Sequence, residues 1–324
     1  MPQNMTTDLY PLVFRPVLVP HSWAGSFMGD FLAATYGELS ESPGEAWLLF
    51  DDGQRGSVVA NGAFAQVPLT DLVRSRPDKL VGRHHVSRNP FPFSIRLIDT
   101  AEDQPVQVHP ETLSSNDSNA KFWYSLAARP GAQIIDGIAQ QVTNQQLLAN
   151  LNKPAFNRLL QHYPGRPGDS YLIPPGFIHS LGAGNMILEI QQRYEQPLVL
   201  ASEPTSGARE NQQAALDALN WEARTNMRIS REAGVTNHTR RVNLTANCPY
   251  FTVEEIRLKD HIFLRADETS FNVIILIKGH AVLKWSAVTI DLKPGMLCCV
   301  PAACGDYKIE TVETRSELLR VKTI

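Results

Sequence analysis

Short apolar, β-branched runs recur along the chain, and nearly all of them are closed by Gly, Pro, Asn or Asp. Such runs predict strands and tight turns rather than long helices. Strands are predicted over 10–19, over 44–50 (closed by Asp51-Asp52-Gly53) and over 57–61. A core strand follows over 91–99, then 106–109, 121–128, 133–137, 170–174 and 186–192, and from Val242 onward strands alternate with turns to the end. Helical spacing is confined to a few places. It marks 26–36, Leu69–Ser75 with Thr70 or Asp71 near its start, a short turn over 78–82, and 142–163, where Thr143 opens a run punctuated by Asn and Pro. Residues 204–232 are polar and Ala-rich, which reads as a linker or helix.

A long-range echo organises these strands. Gly168-Asp169 followed by Pro174 and Gly176 matches Pro294-Gly295 followed by Pro301: a turn, a strand of apolar residues, then a proline turn. The chain is therefore expected to be mainly β, with two related β-barrels in tandem and a small helical insertion. The expected division is a first barrel over 1–203 with the insertion at about 138–166, a linker or helix over 204–236, and a second barrel over 237–324. Only the first copy of the echo is followed by a histidine, His179; the second has Cys304-Gly305-Asp306 there, so the second barrel is expected to lack metal ligands.

Composition narrows the picture. The 324 residues carry a net charge of -3, which leaves no overall basic footprint for nucleic acid. No apolar run reaches the length of a membrane span, and no basic-then-apolar leader opens the chain, so a cytoplasmic protein is expected. Cys248, Cys298, Cys299 and Cys304 form no C-x-x-C pair and read as reduced core thiols.

The candidate chemistry sits in two segments. In Pro105-Val-Gln-Val-His-Pro110, Gln107 and His109 are two apart, and on a strand such residues share a face. In the segment 168–179, a strand-like run ends in Pro-Pro-Gly and delivers His179. Two imidazoles and an amide oxygen converging inside a barrel would be a metal site of borderline ligands, which suits zinc. By the same parity Glu189, Gln191 and Arg193 share one face of their strand.

Assembled in this order, the sequence resembles the short bacterial type of class I mannose-6-phosphate isomerases, members of the cupin superfamily. The resemblance is carried by Tyr10–Pro16 with Trp23-Ala-Gly25, Gly44-Glu-Ala-Trp47, Val58–Gly62, Phe93–Asp99, Gln107-Val-His-Pro110, Pro174-x-Gly176-x-x-His179 and Leu188–Gln192, and it covers nearly the whole chain. It implies two tandem cupin-like β-barrels of jelly-roll type, and a divalent metal, usually zinc, held by Gln107, His109 and His179. It also implies interconversion of mannose 6-phosphate and fructose 6-phosphate through a cis-enediol. Glu189 and Arg193 are the expected catalytic pair, with Lys121 and Arg96 as substrate-binding cations and a small sugar phosphate as the partner.

Two positions depart from the family pattern. Lys121 stands where a metal-binding Glu is expected, before Trp123-Tyr124, and Val199 falls near the place of an expected Arg, which Arg193 could replace. A lone ammonium about 4 Å from a divalent ion would be repelled by roughly 8 kcal/mol at an effective dielectric of about 20. Lys121 could point away, be neutral or stand in for the metal, or Glu111 could supply a carboxylate instead. Alternative readings are a degenerate homologue that binds a sugar phosphate as a sensor or partner subunit, and an isomerase of another sugar phosphate.

Overall fold

The computed structural model describes residues 8–39, 41–83, 90–111, 120–192, 197–201, 208–222, 227–231, 238–245 and 248–324. Four antiparallel sheets lie in layers. The first barrel is made of a five-stranded and a seven-stranded sheet, the second of a six-stranded and a four-stranded one. The expected mainly β, two-barrel architecture is what the chain adopts.

The two large sheets are buried on both faces, and strict alternation decides which residue faces which way. In the strands Lys121–Ala128 and Asn185–Gln191, Phe122, Tyr124, Leu188 and Ile190 face the second barrel. There they join one core with Phe93, Phe251, Phe271 and Val273. Trp123 and Ile187, one residue out of phase, face inward and pack with Ile98, Ile134, Tyr171 and Leu181. The interior of the second barrel is a separate cluster built from Ile256, Ile274, Leu283, Ile309 and Leu318 among others. The outer face of the five-stranded sheet is covered by helical segments through Leu147, Phe156, Ala215 and Leu219.

Several expectations change in detail. The predicted strand over 10–19 is split around Arg15-Pro16 into Leu12–Val13 and Val17–Val19. The first piece pairs with Cys298 and Cys299 in the second barrel, and the second piece pairs with Ala46 and its neighbours in the first. The start of the chain thus stitches the two barrels together, a non-local pairing that no local pattern encodes. The expected strand over 57–61 is reduced to bridges, Phe14 with Val59 and Val58 with Pro68. The insertion is only partly helical. Helix Asn144–Asn150 opens on a capping box between Thr143 and Gln146, but Leu160–Pro164 returns as a strand against Gln133–Ile138. Within the expected linker, Ala208–Asp217 is a helix, and Met227–Ile229 is an edge strand of the seven-stranded sheet against Ser170–Leu172. The first barrel therefore closes with residues beyond 203. The four cysteines are free and buried, as composition led one to expect. Among the described residues no helix is long and apolar enough to cross a membrane.

Candidate functional site

The two segments singled out in the sequence meet inside the first barrel. His179 lies directly opposite Gln107 in an antiparallel pair, so the two side chains share the inner face of the five-stranded sheet. The backbone N–H of Gly176 donates to the His109 carbonyl (2.8 Å), which ties the Pro-Pro-Gly turn to the end of the Gln-x-His strand. The His109 and His179 rings are stacked, with centroids 5.3 Å apart and planes 15° from parallel. The sequence thus brings together all three expected metal donors on one wall, with His109 and His179 buried.

The facing wall is the seven-stranded sheet, and its chemistry follows from strand register. Glu189 sits on a central strand with Arg96 directly opposite on one side and Trp123 directly opposite on the other. Lys121, two residues from Trp123, reaches it diagonally. Glu189 Oε1 accepts from Arg96 (2.8 Å from Nε, 2.7 Å from Nη2), while Oε2 accepts from Lys121 Nζ (3.2 Å) and Trp123 Nε1 (2.8 Å). Arg96 also pairs with Glu45 (2.9 Å) and lies over the Trp47 ring, 4.8 Å from its centroid. Trp123 then touches His179 edge-on at 5.5 Å and joins the two walls. The pocket between the two walls, about 200 Å³, is lined by Trp23, Gln107, His109, Lys121, Glu189 and Gln191 among others.

Burial and charge set the protonation states. Burial alone would raise the Glu189 carboxyl. The charges of Arg96 and Lys121, with the Trp123 hydrogen bond, outweigh it and hold that carboxyl well below the usual range. Desolvation pushes the Lys121 ammonium down to about 8, although Glu189 pulls the other way. Desolvation, reinforced by the Lys121 charge, also lowers both imidazoles, His179 to about 3, so both rings are neutral at pH 7.

Neutral rings are what a metal requires, and three ring nitrogens wait without partners. His109 Nδ1 and Nε2 and His179 Nε2 are buried and make no hydrogen bond. His179 Nδ1–H donates to the Phe177 carbonyl at 3.0 Å, which leaves the lone pair on Nε2, the tautomer of a metal-bound imidazole. Among the described residues no three His, Cys, Asp or Glu side chains form a metal-binding cluster; the polar side chain beside the two imidazoles on this wall is the Gln107 amide. Two imidazoles and an amide fit a divalent ion of borderline softness through neutral donors alone. The ammonium that seemed to forbid a metal is not alone. Glu45, Arg96, Glu189 and Lys121 form a run of two negative and two positive charges, so the repulsion expected from a lone lysine is offset.

Other expectations resolve plainly. Lys121 points into the pocket rather than away from it. Glu111 is exposed and does not line the pocket, so it supplies no ligand. Val199 pairs with Gln107 across the neighbouring edge strand. Arg193 lies outside the described residues. Glu189, expected as a catalytic residue, has both carboxylate oxygens hydrogen-bonded, one to Arg96 and the other to Lys121 and Trp123. Sequence reading missed Glu45, which anchors Arg96. It also missed Asp136, a fully buried carboxylate opposite His179 in strand register. Only an Asp within an apolar strand hinted at the latter.

Fold and pocket together define a two-barrel cupin protein with a polar site in its first barrel. The second barrel matches, over residues 242–321, the family described as "Mannose-6-phosphate isomerase, cupin domain". The chain is a homologue of the cupin-type mannose-6-phosphate isomerases and an isomerase-like enzyme. It is 26% identical over 316 residues to the mannose-6-phosphate isomerase ManA of Bacillus subtilis, covering 94% of this chain and 97% of the relative. It is 29% identical over 187 residues to a mannose-6-phosphate isomerase of Streptococcus mutans, covering 56% of this chain and 57% of that one. The crystal structure of the mannose 6-phosphate isomerase from Bacillus subtilis superposes with a TM-score of 0.78 at 23% identity, over 98% of this chain and all (100%) of that one. A mannose 6-phosphate isomerase solved with zinc and yttrium bound has a TM-score of 0.71 at 12% identity, over 97% of this chain and 100% of that one. At such identities the superpositions speak for the fold.

Proposed function

We propose that the chain is a metal-dependent aldose–ketose isomerase that interconverts mannose 6-phosphate and fructose 6-phosphate, moving a proton between C1 and C2 through a cis-enediol. The names of the relatives support the substrate. One observation carries the site: the unpartnered, neutral imidazoles of His109 and His179 share a barrel wall with Gln107. We assign these three residues to the metal, zinc by donor type. When bound, the ion would act as a Lewis acid on the carbonyl and hydroxyl oxygens of the open-chain sugar.

The chain's own residues supply the rest. Glu189 fixes Arg96 and Lys121 so that both present positive charge to an oxygen-rich substrate, and Glu45 and Trp47 hold Arg96 from behind. Lys121 Nζ is the proton carrier this arrangement favours. It lines the pocket and is pushed down to about 8, within reach of neutral pH, whereas Glu189 is locked as an acceptor. Trp23 and Trp123 supply aromatic walls to the pocket.

A binding-only reading, in which the protein holds a sugar phosphate without turning it over, is favoured by the full engagement of Glu189 and by the all-neutral donor set. Elemental analysis with a coupled fructose 6-phosphate assay separates the two. About one equivalent of zinc, with turnover lost to a chelator, supports the isomerase. Metal-free protein that still binds the sugar phosphate supports the sensor.

A further inference from the structure

A second cavity, of about 730 Å³, lies where the two barrels meet, far larger than the pocket of the first barrel and within the size range of small-molecule sites. One wall is the turn after Leu160–Pro164 together with the residues after Met227–Ile229. The other is made by turns of the second barrel. Arg166 projects from the first wall, and Arg257, Lys259, Lys278 and Arg315 from the second, with Arg231 between them. Against these six cations stand three acids, Asp169, Glu313 and Glu317. Two of the acids are already engaged: Asp169 with Arg228 at 2.6 Å and Glu317 with Arg231 at 2.7 Å. Among the described residues Arg166, Lys259, Lys278 and Arg315 make no ion pair. Arg257 is paired with Glu255 beneath the lining (2.9 Å), and with that carboxylate counted the cleft still carries an excess of two positive charges in a chain whose net charge is -3.

The cleft is built rather than incidental. Gly168 has φ +90°, and a Cβ there would meet the Arg231 side chain at 2.0 Å, so glycine is required for Arg231 to lie flat against the turn. Arg231 is held from below by Glu255 (3.8 Å), which accepts from the buried Tyr124 hydroxyl at 2.7 Å. The cleft floor is therefore anchored to the strand that carries Lys121 and Trp123.

We propose that this cleft binds a small polyanion, a phosphorylated metabolite carrying a diphosphate or two phosphomonoester groups, at a site independent of the barrel pocket. Cations on opposing walls of one cleft suit a compact ligand of high charge density. A long phosphate polymer would extend onto a surface of opposite preference, because the rest of the chain carries the negative excess.

Inorganic pyrophosphate is the probe, titrated calorimetrically into the full chain at low and at physiological salt. We expect about one equivalent to bind, with affinity falling as salt rises. Lys278→Gln with Arg315→Gln, both exposed and outside the core, should raise Kd about tenfold or more, and Arg166→Gln should raise it from the opposite wall. His109→Gln, in the barrel pocket, should leave Kd unchanged. Absence of binding, an unchanged Kd in the cleft variants, or a loss caused by His109→Gln would each overturn the proposal.

Discussion

The Lys121 ammonium and the Glu189 carboxylate face each other 3.2 Å apart across neighbouring strands, both sealed from solvent. Their relationship is unequal. Glu189 also holds Arg96 and the Trp123 indole, whereas Glu189 is the one ion partner of Lys121 among the described residues. Removing Glu189 strands the buried Lys121 ammonium and leaves Arg96 with Glu45 alone, whereas removing Lys121 leaves a carboxylate that still has two donors. Glu189→Gln should therefore cost about 3–5 kcal/mol in urea unfolding, and Lys121→Met clearly less. Equal losses would show that the pair is energetically symmetric and would sink the positioning role given to Glu189.

The same burial predicts a pH signature. The Lys121 ammonium is pushed down to about 8 from 10.5, so between these values the unfolded chain keeps a proton that the folded chain has released. Stability then rises with pH through that window, because the unfolded state binds more protons. The check is the stability difference between the natural chain and Lys121→Met, which should shift in favour of the natural chain from pH 8 toward pH 10. A difference that stays flat over this range would mean that the lysine keeps its proton.

Zinc binding should depend on both rings. His109→Ala and His179→Ala are each expected to weaken zinc by about tenfold or more in competition with a chromophoric chelator, with Gln107→Ala close behind. Glu111→Ala, on an exposed side chain outside the pocket, should change nothing. Zinc affinity that survives loss of either imidazole would place the ion elsewhere.

Helix Phe27–Tyr36 packs Met28 and Leu32 into the core between the barrels. Asp99 Oδ2 accepts from the Met28 N–H (2.8 Å), capping helix Phe27–Tyr36 from a distant strand. A Cβ on Gly25 would stand 1.9 Å from the other oxygen of that carboxylate. Gly25→Ala should therefore cost about 1–3 kcal/mol by overpacking, and Asp99→Ala about 1 kcal/mol through the lost cap. Thermal denaturation reads both, and a neutral Gly25→Ala would show that the capping carboxylate is free to move.

Alternation along the strands, glycine and proline at the turns, and the two-residue spacing of Gln107 and His109 are local properties, and they were enough to predict two barrels and a shared face for Gln107 and His109; that His179 joins them was what the family resemblance implied. The duplicated turn–strand–turn gave the second barrel for the same reason, since a repeated local pattern needs no knowledge of its neighbours. What surrounds Glu189 is different in kind. Arg96, Trp123 and Lys121 meet it because three strands far apart in sequence pair in one register, and register is set by the packing of whole sheets. The same holds for Leu12–Val13 crossing to the second barrel and for the cationic cleft between the barrels, whose members come from separate turns. Local chemistry along the chain decided which side chains were available. Only the long-range pairing of strands decided that a lysine in the barrel pocket would come with its own counter-charge.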